Sequence, residues 1–170
     1  MKTKIISAFP GVGKTHFSNN TNLKVKDSDS STFPKENFPQ NYIESIREDI
    51  GKYDVILVSS HEQVREALYR NKIEYNLVFP HGNCKEEYIQ RYIDRGSPDA
   101  FIELLDRMWD QWIESCIYDG GDSTWFRANS AVKLDSGTYL SDVVDNIMSC
   151  LLYTSPSPRD RTRSRMPSSA

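Results

Sequence analysis

The sequence lacks the features that would mark a secreted, zinc-bound or membrane-spanning chain. It has three cysteines, Cys84, Cys116 and Cys150, and none stands in a CxxC or CxxH pair. That spacing argues against a zinc site, and an odd, scattered count fits a reducing compartment. No apolar run approaches the roughly 20 residues of a membrane helix. The apolar stretch Ile5-Ile6-Ser7-Ala8, after Met1-Lys2-Thr3-Lys4, is too short for the core of a signal peptide. The expectation is a cytoplasmic protein with no membrane partner. Excess positive charge is lacking as well. The 21 basic and 24 acidic side chains give a net charge of −3. Four Arg and one Asp fall in 150–170, so residues 1–149 carry 17 against 23, a charge of −6. A mildly acidic body speaks against nucleic acid as the main partner.

What is present suits one domain. The chain has 170 residues, 38% hydrophobic and 26% charged, enough for a single real core over 1–149. Residues 150–170 have neither helical nor strand period and are polar and proline-containing. The plain reading is a disordered tail. Back-translated, they resemble the adapters used in sequencing libraries. They are therefore expected to be a non-native tail and are set aside, with the native C-terminus cut short.

Strand and helix signals alternate along the body. Lys4 to Ala8 reads as a strand, Lys14 to Asn19 as a helix start, and Leu23 to Lys26 as a strand ending in Asp27-Ser28-Asp29. Pro34 and Pro39 mark residues 32–40 as loop. Ile43, Ile46 and Ile50 recur at helical spacing until Gly51. Tyr53 to Val58 is a strand, Gln63 to Arg70 a helix, Tyr75 to Phe79 a strand, Lys85 to Arg95 a helix. Asp99 to Cys116 is a long amphipathic helix. Ala131 to Leu134 is the last strand and Tyr139 to Met148 the last helix. Such alternation predicts an α/β fold, a parallel sheet covered on both faces.

The chemistry concentrates in Ala8 through Thr15. Gly11 and the run Gly13-Lys14-Thr15 match the phosphate-loop pattern G-x-x-x-x-G-K-[ST], with Ala8 in place of the first glycine. Glycines permit torsions that turn successive N–H groups inward, where they cradle phosphate oxygens. A helix starting near Lys14 adds its positive end. Lys14 is expected to bridge β- and γ-phosphates, and Thr15 to place its hydroxyl on Mg2+. The expected ATP-binding set is Pro10, Gly11, Val12, Gly13, Lys14, Thr15 and His16. A chance glycine turn is the alternative, and a preceding strand with a following helix is the context that argues against it.

Asp27 and Asp29 close the second strand at the edge where ligands bind in such sheets. A spacing of two puts both on one side. Asp27 is expected to support the metal and Asp29 to orient or deprotonate an acceptor hydroxyl. A solvated Ser/Asp turn is the competing reading. Arg91 and Arg95, four apart, share a helix face and can neutralise a transferring phosphoryl group. An ordinary ion pair between Arg91 and Glu87 explains one of them equally well. His61 follows the third strand and either meets the acceptor or caps the next helix. Arg47 and Arg65 are the cations available on the acceptor side. Phe101, Leu105, Trp109 and Trp112 recur at helical spacing and read as core. The strand Tyr53–Val58 ends in Ser59-Ser60, without the acid an ordinary ATPase carries there.

The phosphate loop, Asp27-Ser28-Asp29 and Arg91-x-x-x-Arg95-Gly96, in that order, resemble the nucleoside-monophosphate kinase and shikimate/gluconate kinase group of P-loop proteins. The nearest likeness is to small adenylate-kinase-like proteins encoded by phages, over residues 2–148. The resemblance implies a P-loop NTPase α/β/α sandwich with strand order 2-3-1-4-5. It also implies a short helical lid at about 82–99 carrying Arg91 and Arg95, and an acceptor region around residues 30–50. The implied activity is ATP-dependent transfer of a phosphoryl group to a nucleotide, such as a (deoxy)nucleoside monophosphate, with ATP and Mg2+, by a monomer or homodimer. Two alternatives stay open. One is a kinase for a small hydroxyl compound or a modified DNA base. The other is an ATP-binding switch without transfer.

Overall fold

The computed structural model describes residues 2–119 and 128–149. The tail at 150–170 lies outside the described residues. Among the described residues, five parallel strands form one sheet: β1 (Lys4–Ala8), β2 (Val25–Asp27), β3 (Val55–Ser59), β4 (Asn76–Pro80) and β5 (Ser130–Leu134). Their order is β2-β3-β1-β4-β5. Six α-helices among the described residues connect and flank them: α1 (Lys14–Asn19), α2 (Gln40–Asp49), α3 (Glu62–Arg70), α4 (Lys85–Asp94), α5 (Asp99–Asp119) and α6 (Leu140–Ser149). Among the described residues no helix is long and apolar enough to cross a membrane.

The central strands are apolar without alternation because both faces are covered. Every residue of β1 and β4 is buried, and so are Val55 to Val58 of β3. In-register pairing runs Lys4 to Val55 through Ala8 to Ser59 on one side of β1, and Ile6 to Asn76 through Ala8 to Val78 on the other. The buried Ser7 hydroxyl donates to the Ser59 carbonyl at 3.0 Å, which satisfies a polar group in the middle of the sheet. On α5, Leu105, Trp109, Ile113 and Cys116 are buried at helical spacing. The Trp109 indole N–H donates to the Gly82 carbonyl at 2.9 Å.

Two expectations about elements change. The second strand starts at Val25 rather than Leu23, because Lys24 is used in the approach to it: the Asp54 N–H donates to the Lys24 carbonyl at 2.8 Å and the Lys24 N–H to Asp54 Oδ2 at 2.8 Å. Asp27 therefore sits inside the strand, paired with Leu57. The expected lid at 82–99 is packed onto the body. Its helix α4 buries Tyr88 and Tyr92 in the common core, and the Phe9 and Trp109 rings meet Tyr88 edge-on at 6.3 and 5.5 Å.

Candidate functional site

The carboxyl ends of β1, β2 and β3 converge on one cleft of about 420 Å³. Lys14, Asp27, Asp29 and His61 line it, with Ser28, Ser30, Ser31, Ser59 and Ser60 between them. The strands are all parallel, so their carboxyl ends lie along one edge of the sheet.

The loop from β1 to α1 forms one wall. Ala8, where the motif has glycine, is the last residue of β1, paired with Ser59 and Val78 in extended backbone that alanine adopts freely. Gly11 and Gly13 have φ of 90° and 93°, the left-handed region that favours glycine. Space is a second reason for both. A Cβ on Gly11 would come within 2.8 Å of Tyr88, and one on Gly13 within 3.1 Å of Tyr139. The loop's carbonyls are held by neighbours. Gly11 O accepts from Arg91 Nη1 at 2.7 Å, Val12 O from Leu140 N at 2.8 Å and Gly13 O from Phe17 N at 3.0 Å. The N–H groups of Gly11 and Gly13 have no acceptor among the described residues. Those of Lys14 and Thr15 belong to a first helical turn, which has no intrahelical carbonyl to donate to.

Lys14 is partly buried, and loss of water lowers its pKa; Asp27 and Asp29 oppose that shift and Arg95 adds to it. Thr15 and His16 are exposed on the first turn of α1. The opposite wall is the end of β2. Ser28 is buried between the two aspartates, its N–H donating to the Leu57 carbonyl at 2.9 Å. Alternation leaves Asp27 and Asp29 at the cleft. Asp29 Oδ1 accepts from both the N–H and the hydroxyl of Ser31, at 2.9 and 2.8 Å, so it also caps the 3-10 turn Ser30–Thr32. Those bonds from Ser31, with Lys14 adding, hold its carboxyl below the ordinary aspartate value. It is ionised at neutral pH and can accept a hydrogen bond from an incoming hydroxyl through Oδ2.

His61 starts α3 but makes no side-chain cap. Its ring stands at the rim, edge-on to Trp112 at 5.9 Å. Partial burial, then the charges of Arg65 and Lys14, push its pKa below the usual histidine value, so the ring is neutral at pH 7.

The arginines divide. Arg91 is committed to the loop: besides Gly11 O it reaches Glu87 Oε2 at 2.6 Å, and its guanidinium lies 4.2 and 4.0 Å from the Tyr88 and Tyr139 ring centres. Glu87 in turn accepts from the Ser136 hydroxyl and from Gly137 N, tying the loop after β5 to α4. Arg95 lies over the exposed end of α4, 4.9 Å from the Tyr92 ring, and its charge is felt at Lys14. Arg65 is buried, at 1% exposure, and pairs with Asp119. Arg47 is not in the cleft. It donates to the Asn71 carbonyl at 2.9 Å and lines a hollow with Lys2, Thr3 and Gly51 at the amino ends of the strands. Helix α2 runs back along the sheet, so its last turn reaches the far edge.

Two features of the site escaped the sequence. Tyr42, fully buried, donates its hydroxyl to the Ser28 carbonyl at 2.7 Å and accepts from the Ser59 N–H at 3.3 Å. It clips the ends of β2 and β3 together beneath the aspartates. Burial pushes its pKa up to about 12, so it stays a donor. Trp112, expected in the core, is only half-buried and faces a cavity beside the cleft.

No family model and no curated protein matches the chain. Among solved structures it is similar to an uncharacterized protein from Eubacterium ventriosum ATCC 27560, with a TM-score of 0.45 and 14% identity over 89% of this chain and 99% of that one. So distant a likeness leaves the site's own geometry as the basis for function.

Proposed function

We propose that the chain is a P-loop phosphotransferase that moves the γ-phosphoryl group of ATP to a hydroxyl acceptor. The carrying observation is the placing of Lys14, Asp27 and Asp29 in one cleft beside a glycine loop whose carbonyls are turned away and held. The loop N–H groups and Lys14 cradle the β- and γ-phosphates, and Arg95 supplies charge for the equatorial oxygens. The exposed hydroxyl of Thr15 and carboxylate of Asp27 are hard oxygen donors suited to Mg2+. Among the described residues no three or more His, Cys, Asp or Glu side chains cluster to hold a metal. That donor set fits a cation brought in with the nucleotide, where it offsets phosphate charge. Asp29, with its pKa held low, is a weak base; its role is to orient the acceptor hydroxyl, which suits a transition state with little bond formation to the nucleophile.

The acceptor follows from which arginines are free. A phosphate-bearing acceptor needs cations on its side of the cleft, yet Arg47 lies at the far edge and Arg65 is bound within the body. Two carboxylates and a row of serines favour a neutral hydroxyl compound over the nucleoside monophosphate the resemblance implies. The test is a panel of acceptors with γ-labelled ATP. Label should pass to neutral hydroxyl compounds, and Lys14→Ala should abolish it. Asp29→Asn should lower kcat about 10²-fold or more with ATP affinity nearly unchanged. ATP binding without transfer to any acceptor would favour the switch reading instead.

A further inference from the structure

A cavity of about 150 Å³ adjoins the phosphate cleft and is not explained by phosphate chemistry. It lies between Phe9-Pro10, the start of α3 and the middle of α5, and it shares Pro10, Ser60 and His61 with the cleft as a common wall. Trp112 is its aromatic side. Phe9 meets that indole edge-on at 6.3 Å and 73°, and His61 at 5.9 Å and 82°. These contacts hold the ring, which is half-buried and lines the cavity. Arg65 contributes to the lining, but its donors are engaged: Nε to the Ser60 carbonyl at 2.8 Å, Nη1 to the Ser115 carbonyl at 3.2 Å and to Asp119, Nη2 to the Ser115 hydroxyl. The lining arginine is thus neutralised by Asp119 and has little to offer an anion. Its volume is well below the roughly 300–1,000 Å³ of pockets that enclose drug-sized ligands.

We propose that this cavity seats the acceptor as a planar, uncharged single ring against Trp112, with a hydroxyl-bearing arm passing Pro10 and His61 to Lys14 and Asp29. The inference rests on the phosphotransferase reading and names its substrate class. A ring gains both burial and face-to-ring contact on an indole held in place, and the neighbouring Gln111 amide and the neutral His61 imidazole offer hydrogen bonds to its edge. The arm's oxygen then bonds to the γ-phosphorus as the bond to the β,γ-bridging oxygen breaks. The bridging oxygen leaves on ADP with the electron pair, and the hydroxyl proton, which Asp29 only orients, is released to water once the new bond has formed.

Thymidine, adenosine and ribose are the probes, followed by NMR of the Trp112 indole and His61 ring signals, with ATP affinity measured separately. Thymidine is expected to shift both sets of signals, ribose neither, and adenosine, with its fused second ring, to bind at least tenfold more weakly. Trp112→Leu should weaken thymidine binding by roughly 5- to 150-fold, the range for removing one aromatic stacking partner, and leave ATP affinity unchanged. His61→Ala, at the exposed rim, carries the same test should the tryptophan variant fail to fold. Absence of thymidine binding, thymidine binding that moves neither signal, or unaltered affinity in these variants overturns the proposal. Equal binding of adenosine overturns its single-ring limit. Failure of ATP to bind while thymidine still shifts both signals would strike the phosphotransferase reading and spare the ring seat.

Discussion

Lys14 illustrates how a single buried charge costs stability. Its folded pKa lies below the ordinary lysine value because it has lost water, an effect larger than the help from Asp27 and Asp29. The folded state therefore releases this proton more readily than the unfolded chain does. Its charge opposes folding at neutral pH, and the penalty lifts only as pH rises through the folded value. Lys14→Met should raise the melting temperature of the nucleotide-free protein at pH 7, by about 2–4 °C if the relief is near 1 kcal/mol, while ATP affinity collapses. Thermal denaturation checks the first part, and an unchanged or lower midpoint contradicts it. In the wild-type protein the ATP dissociation constant should climb on the alkaline side from a pH below 10.5, the ordinary lysine value. The acidic side behaves differently: Asp29 stays ionised to below the ordinary aspartate value, so weakening in mild acid belongs to other groups.

At the scale of elements, the glycine loop after β1 depends on helices that the motif does not mention. Tyr88 and Tyr92 of α4 lie so close to Gly11 that its missing Cβ is a packing requirement as well as a torsional one. Gly11→Ala should cost about 1–3 kcal/mol of stability, from a left-handed alanine and a ring pushed aside, and should weaken ATP binding more than tenfold. A folded Gly11→Ala protein with wild-type affinity would show that the loop has slack. The loop itself was legible because its signals are local: a strand, two glycines and Lys14-Thr15 at fixed spacing. The sheet was legible for a similar reason, since Val55 to Val58 and Leu77 to Phe79 are unbroken apolar runs. The partners were not. Nothing near Arg91 in sequence says that its guanidinium will hold the Gly11 carbonyl, 80 residues away. Tyr42 reads as one more apolar position of α2, since a hydroxyl that finds Ser28 and Ser59 leaves no mark on the period. Arg47 was placed on the acceptor side by nearness in sequence, although a helix returning from the carboxyl edge carries its last turn to the opposite one.

For the whole molecule, the buried pair of Arg65 and Asp119 joins the end of β3, α3, α5 and, through the Tyr75 hydroxyl at 3.2 Å from Asp119 Oδ2, the start of β4. Removing one partner leaves a charge without water. Arg65→Met should therefore cost about 3–5 kcal/mol, and the double variant Arg65→Met/Asp119→Leu should recover much of it. Denaturant titration of the two separates them, and a double variant as unstable as the single would mean that the pair acts through its bonds to Ser60 and Ser115. The cleft inherits its order from this frame and from the grip on the glycine loop. The Gly11 and Val12 carbonyls are held by Arg91 and Leu140 through bonds made within the fold itself. The entropy of ordering them, of the order of 1–2 kcal/mol per residue, was surrendered when the chain folded. On the proposed reading a nucleotide would meet a pre-ordered receptor there, and its capture would be governed by diffusion and the shedding of water rather than by waiting for a loop to close.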